Sequence, residues 1–248
     1  MIKQKTLRTI IPISIALTAV IFLNFGPKIQ NRLEISEQKK INEITIQEAQ
    51  EERTKITPKY AIPKKAYLEV DFICQAPLQT VENWVLHEES CEEAALLQAY
   101  LYETKTKMTK EEADKEILNM IKWQEKEIGE HKDLYAEEFS NFIQKYYNLT
   151  SDEIKITPHA TIEDIKREIS NSHPVIVPIT GEILKNPHYP YPGYHMLIVT
   201  GYTEDRIITN DNGTMHGEGY SYSADIFKKA MDDAEGSIIV LNIDSEDL

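Results

Sequence analysis

The pattern of apolar and polar positions predicts helices in the first half of the folded part of the chain. The three best-defined helices are predicted over residues 91–104, 109–129 and 135–147. Ser90 and Thr109 each precede a glutamate by three positions, which is the capping box that marks a helix start, and Thr161 caps a fourth helix. A strand is predicted ahead of these helices at residues 67–73, where apolar and polar residues alternate.

The second half is dominated by short apolar runs that predict strands. These runs cover residues 174–179, 194–202, 206–210 and 237–241. A tight Glu204-Asp205 turn joins the second run to the third as a hairpin, and a short helix near 224–232 precedes the last run. Helices followed by antiparallel strands predict an α+β fold, in which the helical part packs on an antiparallel sheet.

Cys91 stands at the start of the first of these predicted helices. Free backbone N–H groups and the positive end of the helix dipole favour an anion at this position. A thiolate is such an anion, and a helix N-terminus can lower the pKa of cysteine into the reactive range. The alternative is a small buried cysteine that only packs with the apolar face of the helix.

His195 and Asp211 supply two further groups of a possible nucleophilic site. His195 is near the start of an apolar strand, and Asp211 directly follows the next strand. If the two strands pair, both side chains lie at one sheet edge, where a carboxylate can orient an imidazole as a base. Taken singly, His195 fits a core histidine and Asp211 fits a turn, but with Cys91 they form the pattern of an activated nucleophile.

Composition limits the classes of function. The chain has 248 residues and a formal net charge of −14, which argues against nucleic-acid binding. Two cysteines make no disulfide framework. The histidines are scattered without the spacing of a zinc site, so neither a metal nor a cofactor is predicted.

The N-terminal segment predicts a membrane or export signal. Three basic residues precede an uncharged, mostly apolar run from Thr9 to Phe25. Residues 1–27 are predicted to be an uncleaved signal-anchor, with a cleaved signal peptide as the alternative, and residues 28–65 a charged stalk. The domain of residues 66–248 is then expected outside the membrane, either tethered to it or secreted.

Several sequence blocks resemble the papain-like cysteine peptidases, and within them the bacterial peptidase C39-like branch. The blocks are Phe72-Ile73-Cys74-Gln75-Ala76-Pro77, Ser90-Cys91-Glu92-Glu93-Ala94-Ala95, Tyr194 to Tyr202, Asn210 to Thr214, and Gly217 to Tyr220. This branch is related to the double-glycine leader peptidases of bacteriocin exporters, and the resemblance covers about residues 66–242. It implies a papain-like fold and a Cys-His-Asp triad with an upstream glutamine.

The implied triad in this chain consists of Cys91, His195 and Asp211. Gln75 is the implied donor to the oxyanion, and Gln79 is the alternative because it is closer to the cysteine in sequence. Trp84 and Tyr194 are predicted to bind substrate. The aromatic and proline-rich segment 185–192 either lines a substrate groove or forms a surface loop.

The acidic residues around the cysteine depart from the family pattern. Glu92 stands where many members have glycine, and Glu88, Glu89 and Glu93 add to an acidic surrounding that opposes thiolate formation. The helix dipole and a protonated histidine would have to outweigh these charges. Cys74 is expected to be structural, and the alternative is a regulatory disulfide with the nucleophile.

The predicted function is hydrolysis of a peptide or amide bond in a peptide or protein substrate. One alternative is a catalytically silent module of the same fold that binds peptides or cell-wall stems. The other is an acyl transferase that uses the same triad to form an amide bond.

Overall fold

A computed structural model describes residues 32–50, 62–189 and 193–243. The predicted signal-anchor at residues 1–27 lies outside these described residues. The chain divides into two units, Met1–Ile41 and Asn42–Leu248, and the described part of the first unit is helical. Among the described residues, no helix combines the length and the apolar character needed to cross a bilayer.

The second unit is built on a seven-stranded antiparallel sheet. Its strands are β1 (Ala66–Tyr67), β2 (Ile154–Thr157), β3 (Val175–Thr180), β4 (Tyr194–Tyr202), β5 (Arg206–Asn210), β6 (Tyr220–Ser223) and β7 (Ile238–Leu241). Their order is β2-β7-β3-β4-β5-β6, and β1 pairs with β4. The predicted hairpin of β4 and β5 is present, with Ile198 opposite Asn210.

Eight α-helices lie in the described ranges. They are α1 (residues 32–50), α2 (Val81–Leu86), α3 (Cys91–Glu103), α4 (Lys110–Glu127), α5 (Ala136–Tyr147), α6 (Ile162–Ser170), α7 (Gly181–Leu184) and α8 (Ala224–Ala234). Helices α3 to α6 and α8 are the five helices that the sequence predicts. A 3-10 turn at Ser151–Glu153 leads into β2.

Helix α3 is the centre of the helical part. Every residue from 91 to 99 is buried, because β4 covers one side of the helix and α4 packs on it as well. The apolar face of the helix is buried as expected, and the polar side chains of Glu92, Glu93 and Gln98 are enclosed as well. A helix buried on all sides holds its first turn firmly in place.

Two of the three predicted helix caps are present. Thr109 with Glu112 and Thr161 with Asp164 form reciprocal capping boxes. The capping box predicted at Ser90 is wrong, because its hydroxyl lies 3.3 Å from His87 Nδ1 and makes no cap bond. Its partner in the prediction, a glutamate, turns into the core instead of back towards the helix start.

The strand predicted at 67–73 is also largely wrong, since only Ala66–Tyr67 pairs as a strand. Beyond it, the Leu68 N–H still donates to the Thr200 carbonyl at 2.7 Å, and the Val70 carbonyl accepts from Asn210 Nδ2 at 3.0 Å. Residues 68–70 thus run beside the sheet without pairing as a strand. One backbone hydrogen bond and the side chain of Asn210 hold them there. This path leads the chain to the loop that carries Gln75.

Four elements escape the sequence prediction: α2, α7, β2 and β6. β6 has the sequence Tyr-Ser-Tyr-Ser, which lacks aliphatic residues. Its edge is contacted by α1, where Asn42 Oδ1 accepts from Ser221 N at 3.0 Å and from Ser221 Oγ at 2.9 Å. Asn42, which the sequence places in the predicted stalk, therefore contacts the sheet.

Candidate active site

The structure brings most of the predicted site residues to one open cavity of about 580 Å³. The predicted residues that line it are Gln75, Trp84, Cys91, Tyr194 and His195. Asp211 lies behind His195 and is fully buried. Gln79, the alternative oxyanion donor, is not part of the cavity lining.

Cys91 is the first residue of α3, with Ser90 at the N-cap. Its carbonyl oxygen accepts a hydrogen bond from Asn212 Nδ2 at 2.8 Å. This bond ties the start of the helix to the turn after β5, where Asp211 lies. The cysteine is therefore fixed relative to the sheet residues of the site.

His195 and Asp211 are in direct contact, as their places on the hairpin predict. His195 Nε2 lies 3.0 Å from Asp211 Oδ1. Because a carboxylate only accepts hydrogen bonds, Nε2 carries the hydrogen and Nδ1 keeps its lone pair. In a catalytic triad the ring nitrogen that faces away from the carboxylate acts as the base, and in this arrangement that nitrogen is Nδ1.

The imidazole of His195 is held between a glycine and a tyrosine. A Cβ atom at Gly213 would lie 2.9 Å from His195 Cε1, too close for the ring to stay in place. On another side the Tyr189 ring packs edge-on, with ring centroids 5.4 Å apart. The absence of a side chain at Gly213 thus helps to set the ring position.

Asp211 is surrounded by hydrogen-bond donors. In addition to His195, Tyr189 Oη donates at 2.6 Å, Asn186 Nδ2 donates at 3.2 Å, and the Tyr222 hydroxyl donates to the same carboxylate. Burial raises the pKa of Asp211, but the hydrogen bonds from the histidine and the two tyrosines lower it by more. The net effect is a lowered pKa, so the carboxylate is ionised at neutral pH.

Three of these donors are missed by the sequence analysis. Asn186 and Tyr189 belong to the segment 185–192, which the sequence marks as a possible groove lining. Tyr189 does line the cavity, and both residues also support Asp211. Tyr222 lies on the unpredicted strand β6, and no sequence signal singles it out.

Gln75 lies at the cavity, but both hydrogens of its amide are in use. Nε2 donates to the carbonyls of His87 and Glu88, each at 2.9 Å. The backbone N–H of Gln75 donates to the Asn212 carbonyl, also at 2.9 Å. The side chain therefore holds the loop before α3 and would have to release one carbonyl to reach an oxyanion.

Trp84 and Tyr194 occupy two sides of the cavity. Trp84 is half-buried on α2, next to the exposed side chains of Val81 and Val85. Tyr194 donates through its hydroxyl to the Leu134 carbonyl at 3.2 Å, which fixes its ring. The cavity thus offers an apolar wall on α2 and an anchored aromatic ring on β4.

Glu92 makes the closest contact with the cysteine. The Cys91 thiol donates to Glu92 Oε2 at 2.9 Å. Burial raises the pKa of Cys91, and the charge and hydrogen bond of Glu92 raise it further. In this arrangement the thiol is protonated, which opposes the lowering of its pKa expected from the helix start.

The other glutamates differ in their positions. Glu88 and Glu89 are exposed at the rim of the cavity. Glu93 is buried, accepts a hydrogen bond from Gln124 and lies 3.3 Å from His131 Nε2. The acidic surrounding predicted from the sequence is present, but only Glu92 contacts the thiol.

Cys74 and Cys91 are both free and buried thiols. Cys74 donates to the Asn212 carbonyl at 3.4 Å, and burial raises its pKa to about 11. The regulatory disulfide is therefore absent from this structure. Within the described ranges, no three or more His, Cys, Asp or Glu side chains are grouped so that they could hold a metal ion.

A known protein family matches most of the second unit. Residues 67–235, which are more than half of the chain, match the Peptidase_C39 like family. The chain belongs to the Peptidase_C39 like family. The predicted C39-like domain with a papain-like fold is therefore confirmed, and the matched range contains Gln75, Cys91, His195 and Asp211.

A solved structure has a similar fold. It is a crystal structure of a protein from Bacillus anthracis that is described as a C39-like peptidase. The two chains superpose with a TM-score of 0.52 at 14% sequence identity, over 73% of this chain and 98% of that chain. This likeness confirms the α+β fold of the Peptidase_C39 like domain. No curated protein matches the chain.

Proposed function

We propose that this Peptidase_C39 like domain is a cysteine peptidase or amidase with Cys91 as its nucleophile. The main support is the His195–Asp211 pair, held at 3.0 Å beside the cavity that Cys91 also lines. A buried carboxylate, an imidazole with a free Nδ1 and a cysteine at a helix start are the parts of an activated thiol site. Its partner is then a peptide or protein substrate bound against Trp84 and Tyr194.

The first half of the reaction forms an acyl-enzyme. His195 Nδ1 takes the thiol proton, and Cys91 Sγ attacks the substrate carbonyl carbon. The backbone N–H of Cys91 and one amide hydrogen of Gln75 stabilise the oxyanion. The C–N bond then breaks as His195 gives its proton to the leaving amine, which leaves a thioester.

The second half releases the acyl group. His195 Nδ1 takes a proton from water, whose oxygen attacks the thioester carbon. The C–S bond breaks, Sγ regains the proton from His195, and a carboxylic acid leaves the cavity. Asp211 stays ionised throughout and holds the imidazole through Nε2.

Two side chains have to leave their resting partners before this reaction. The thiol of Cys91 turns from Glu92 towards His195 Nδ1, and Gln75 releases the carbonyl of His87 or Glu88. These changes are rotations about side-chain bonds, which occur within nanoseconds on exposed side chains and more slowly in a packed site. Substrate binding in the cavity would favour them.

A silent binding module is the second candidate function. The thiol bound to Glu92 and the raised pKa of Cys91 favour it, because both oppose a thiolate. The apolar wall around Val81 and Val85 would then bind a peptide without cleaving it.

Peptide cleavage separates the two functions. The chain is incubated with a mixture of peptides of varied sequence, and new termini are identified by mass spectrometry. We expect cleavage that is lost in Cys91→Ala and His195→Ala and retained in Cys74→Ala. Peptides that bind equally to the chain and to Cys91→Ala, with no new termini, would favour the binding module.

We further propose that the domain lies outside a membrane to which residues 1–27 attach it. The support is the sequence of that segment, in which basic residues precede the apolar run from Thr9 to Phe25. The test is fractionation of cells after alkaline washing, with protease added to intact cells. The chain should stay with the membranes and be digested from outside, and a chain found in the cytosolic fraction would contradict this location.

A further inference from the structure

Glu92 folds back onto the cysteine that precedes it. Its Oε2 lies 2.9 Å from Cys91 Sγ, and its Oε1 accepts from the Leu134 N–H at 3.0 Å. Glu92 is 1% exposed and Cys91 is 5% exposed, so water does not replace either contact. The Glu92 carboxyl is therefore an ionisable group in direct contact with Cys91 Sγ, the atom proposed to react.

The groups that face Glu92 are mostly acidic. Cys91 and Glu93 lie on the same helix, Asp133 lies in the loop before α5, and Tyr194 lies on β4. In the described part of the chain, no Lys or Arg forms an ion pair with Glu92.

Two histidines lie near the acidic groups around Glu92. His131 lies 3.3 Å from Glu93, and His195 interacts with Asp133. Within the described ranges, the hydrogen-bond partners of Glu92 are one N–H donor and one thiol, fewer than would keep a buried carboxylate ionised.

We propose that Glu92 controls the ionisation of Cys91: its protonated carboxyl donates to the thiolate, and its ionised carboxylate holds the thiol protonated. The inference rests on the proposed function, because it concerns the regulation of the same nucleophile. It assigns a chemical role to the residue that follows the cysteine.

The protons balance in two states. In the reactive state, Glu92 carries a proton and donates O–H to the Cys91 thiolate, while His195 is an imidazolium. When Glu92 loses its proton to solvent, a carboxylate lies next to a thiolate and the two repel. The His195 proton then returns to Sγ, which leaves a neutral imidazole and a thiol that donates to the carboxylate.

The structure shows the contact of the second state, in which the thiol donates to Oε2. Burial raises the pKa of Glu92 well above its ordinary value, and the charge of Glu93 raises it further. Cys91 is therefore expected to be reactive on the acid side and to lose reactivity as the pH rises through the pKa of Glu92. A Cys-His pair without such a carboxyl would keep its reactivity over this range.

The test is the rate at which iodoacetamide labels Cys91 in the full chain, measured by mass spectrometry between about pH 4 and pH 10. The wild-type rate should rise and then fall at least about tenfold on the alkaline side, the change given by one unit of thiol pKa. Glu92→Gln should abolish that fall, because an amide N–H donates to the thiolate at every pH. Glu93→Gln is the matched control, and it should keep the fall but shift it to lower pH.

The outcomes separate the two proposals. If His195→Ala labels like the wild type at every pH, the proposed function fails. If His195→Ala slows labelling but Glu92→Gln reproduces the wild-type profile, the role of Glu92 alone is overturned.

If the Glu92→Gln variant does not fold, a second measurement on the wild type tests the proposal. The wild-type infrared spectrum should show the band of a buried protonated carboxyl that disappears with the same midpoint as the fall in labelling. The absence of such a band, or a band whose midpoint differs from that fall, would overturn the role of Glu92.

Discussion

The site has a sheet half, with His195 and Asp211, and a helix half, with Cys91 and Glu92. Each half contains a buried carboxyl group, and the two carboxyl groups have opposite pKa shifts. On the sheet, Asp211 is surrounded by the donors of His195, Tyr189, Tyr222 and Asn186, and its pKa is lowered. On the helix, Glu92 is equally buried but has one backbone donor and acidic neighbours, and its pKa is raised. Burial alone therefore does not decide the charge of an acid, because the hydrogen-bond donors and charges around it also shift its pKa.

The same contrast appears in the carboxyl oxygens that lack hydrogen-bond partners. Glu93 Oε2 and Asp133 Oδ1, near the helix half, are buried without a hydrogen bond in the described part of the structure. Both oxygens of Asp211 have partners. The sheet half is thus preorganised to hold one charge, whereas the helix half is poised between two protonation states.

The largest loss of activity is expected from Asp211→Asn in the sheet half. The asparagine amide would no longer fix the Nε2–H tautomer of His195. Its NH₂ group cannot accept the hydrogen bonds that the carboxylate now receives. We expect peptide cleavage to fall on the order of 10²–10⁴-fold, the range of a lost base. Cleavage kinetics measure it, and Asp205→Asn, at an exposed turn of the same hairpin, is the control. Equal activity in both variants would contradict a role for Asp211.

The position of the imidazole can be disturbed without removing any charge. Gly213→Ala would place a methyl group 2.9 Å from His195 Cε1, so the ring has to shift. A displacement of this size is expected to lower kcat up to about 10²-fold. Gly193→Ala is the matched change, since nothing lies within 4 Å of its added Cβ. A smaller effect from Gly213→Ala than from Gly193→Ala would be inconsistent with this geometry.

The contributions of Asp211 and Glu92 to the free energy of unfolding should also depend on pH in opposite directions. Asp211 has a lowered pKa, so the stability it contributes is present above its ordinary value of 3.8 and is lost as the pH falls through its folded pKa. Glu92 has a raised pKa, so its contribution is present below 4.5 and is lost as the pH rises through its folded pKa. Each unit of pKa difference corresponds to about 1.4 kcal/mol.

Denaturant unfolding across pH measures both terms. Glu92→Gln should gain stability relative to the wild type at alkaline pH, and Asp211→Asn should lose the wild-type decline at acidic pH. Parallel stability curves for the wild type and Glu92→Gln would show that Glu92 ionises alike in the folded and unfolded chain.

The smallest effect is expected for the second cysteine. Cys74 is buried, and its thiol donates one weak hydrogen bond, to the Asn212 carbonyl at 3.4 Å. Cys74→Ser keeps a donor at this position, so the free energy of unfolding should change by about 1 kcal/mol or less. Labelling of Cys91 should be unchanged. A large loss of Cys91 reactivity would place Cys74 in the function of the site.

The sheet half could be predicted from the sequence and the helix half only in part. The apolar runs and the short turn between β4 and β5 place His195 beside Asp211, because hairpin geometry is local. The donors Asn186 and Tyr222 come from distant segments, and their contact with Asp211 depends on tertiary packing. Sequence patterns carry no signal for such contacts.

In the helix half, tertiary packing overrides two predictions made from local sequence, the capping box and the lowered cysteine pKa. Ser90 and Glu93 have the spacing of a capping box, but the helix start is buried, and the glutamate pairs with Gln124 instead. A helix start alone predicts a lowered cysteine pKa, whereas burial and the contact with Glu92 raise the pKa of Cys91. Which way a side chain turns at the end of a buried helix is decided by its neighbours in space.

The most direct test of the proposed nucleophile compares the two cysteines of one chain. Iodoacetamide labels both, and mass spectrometry gives the rate at each near pH 6, with His195→Ala measured in parallel. We predict that Cys91 labels at least about tenfold faster than Cys74, whose pKa is raised to about 11, and that His195→Ala removes the difference. Equally slow labelling of both cysteines, unchanged in His195→Ala, would contradict an activated thiol at Cys91.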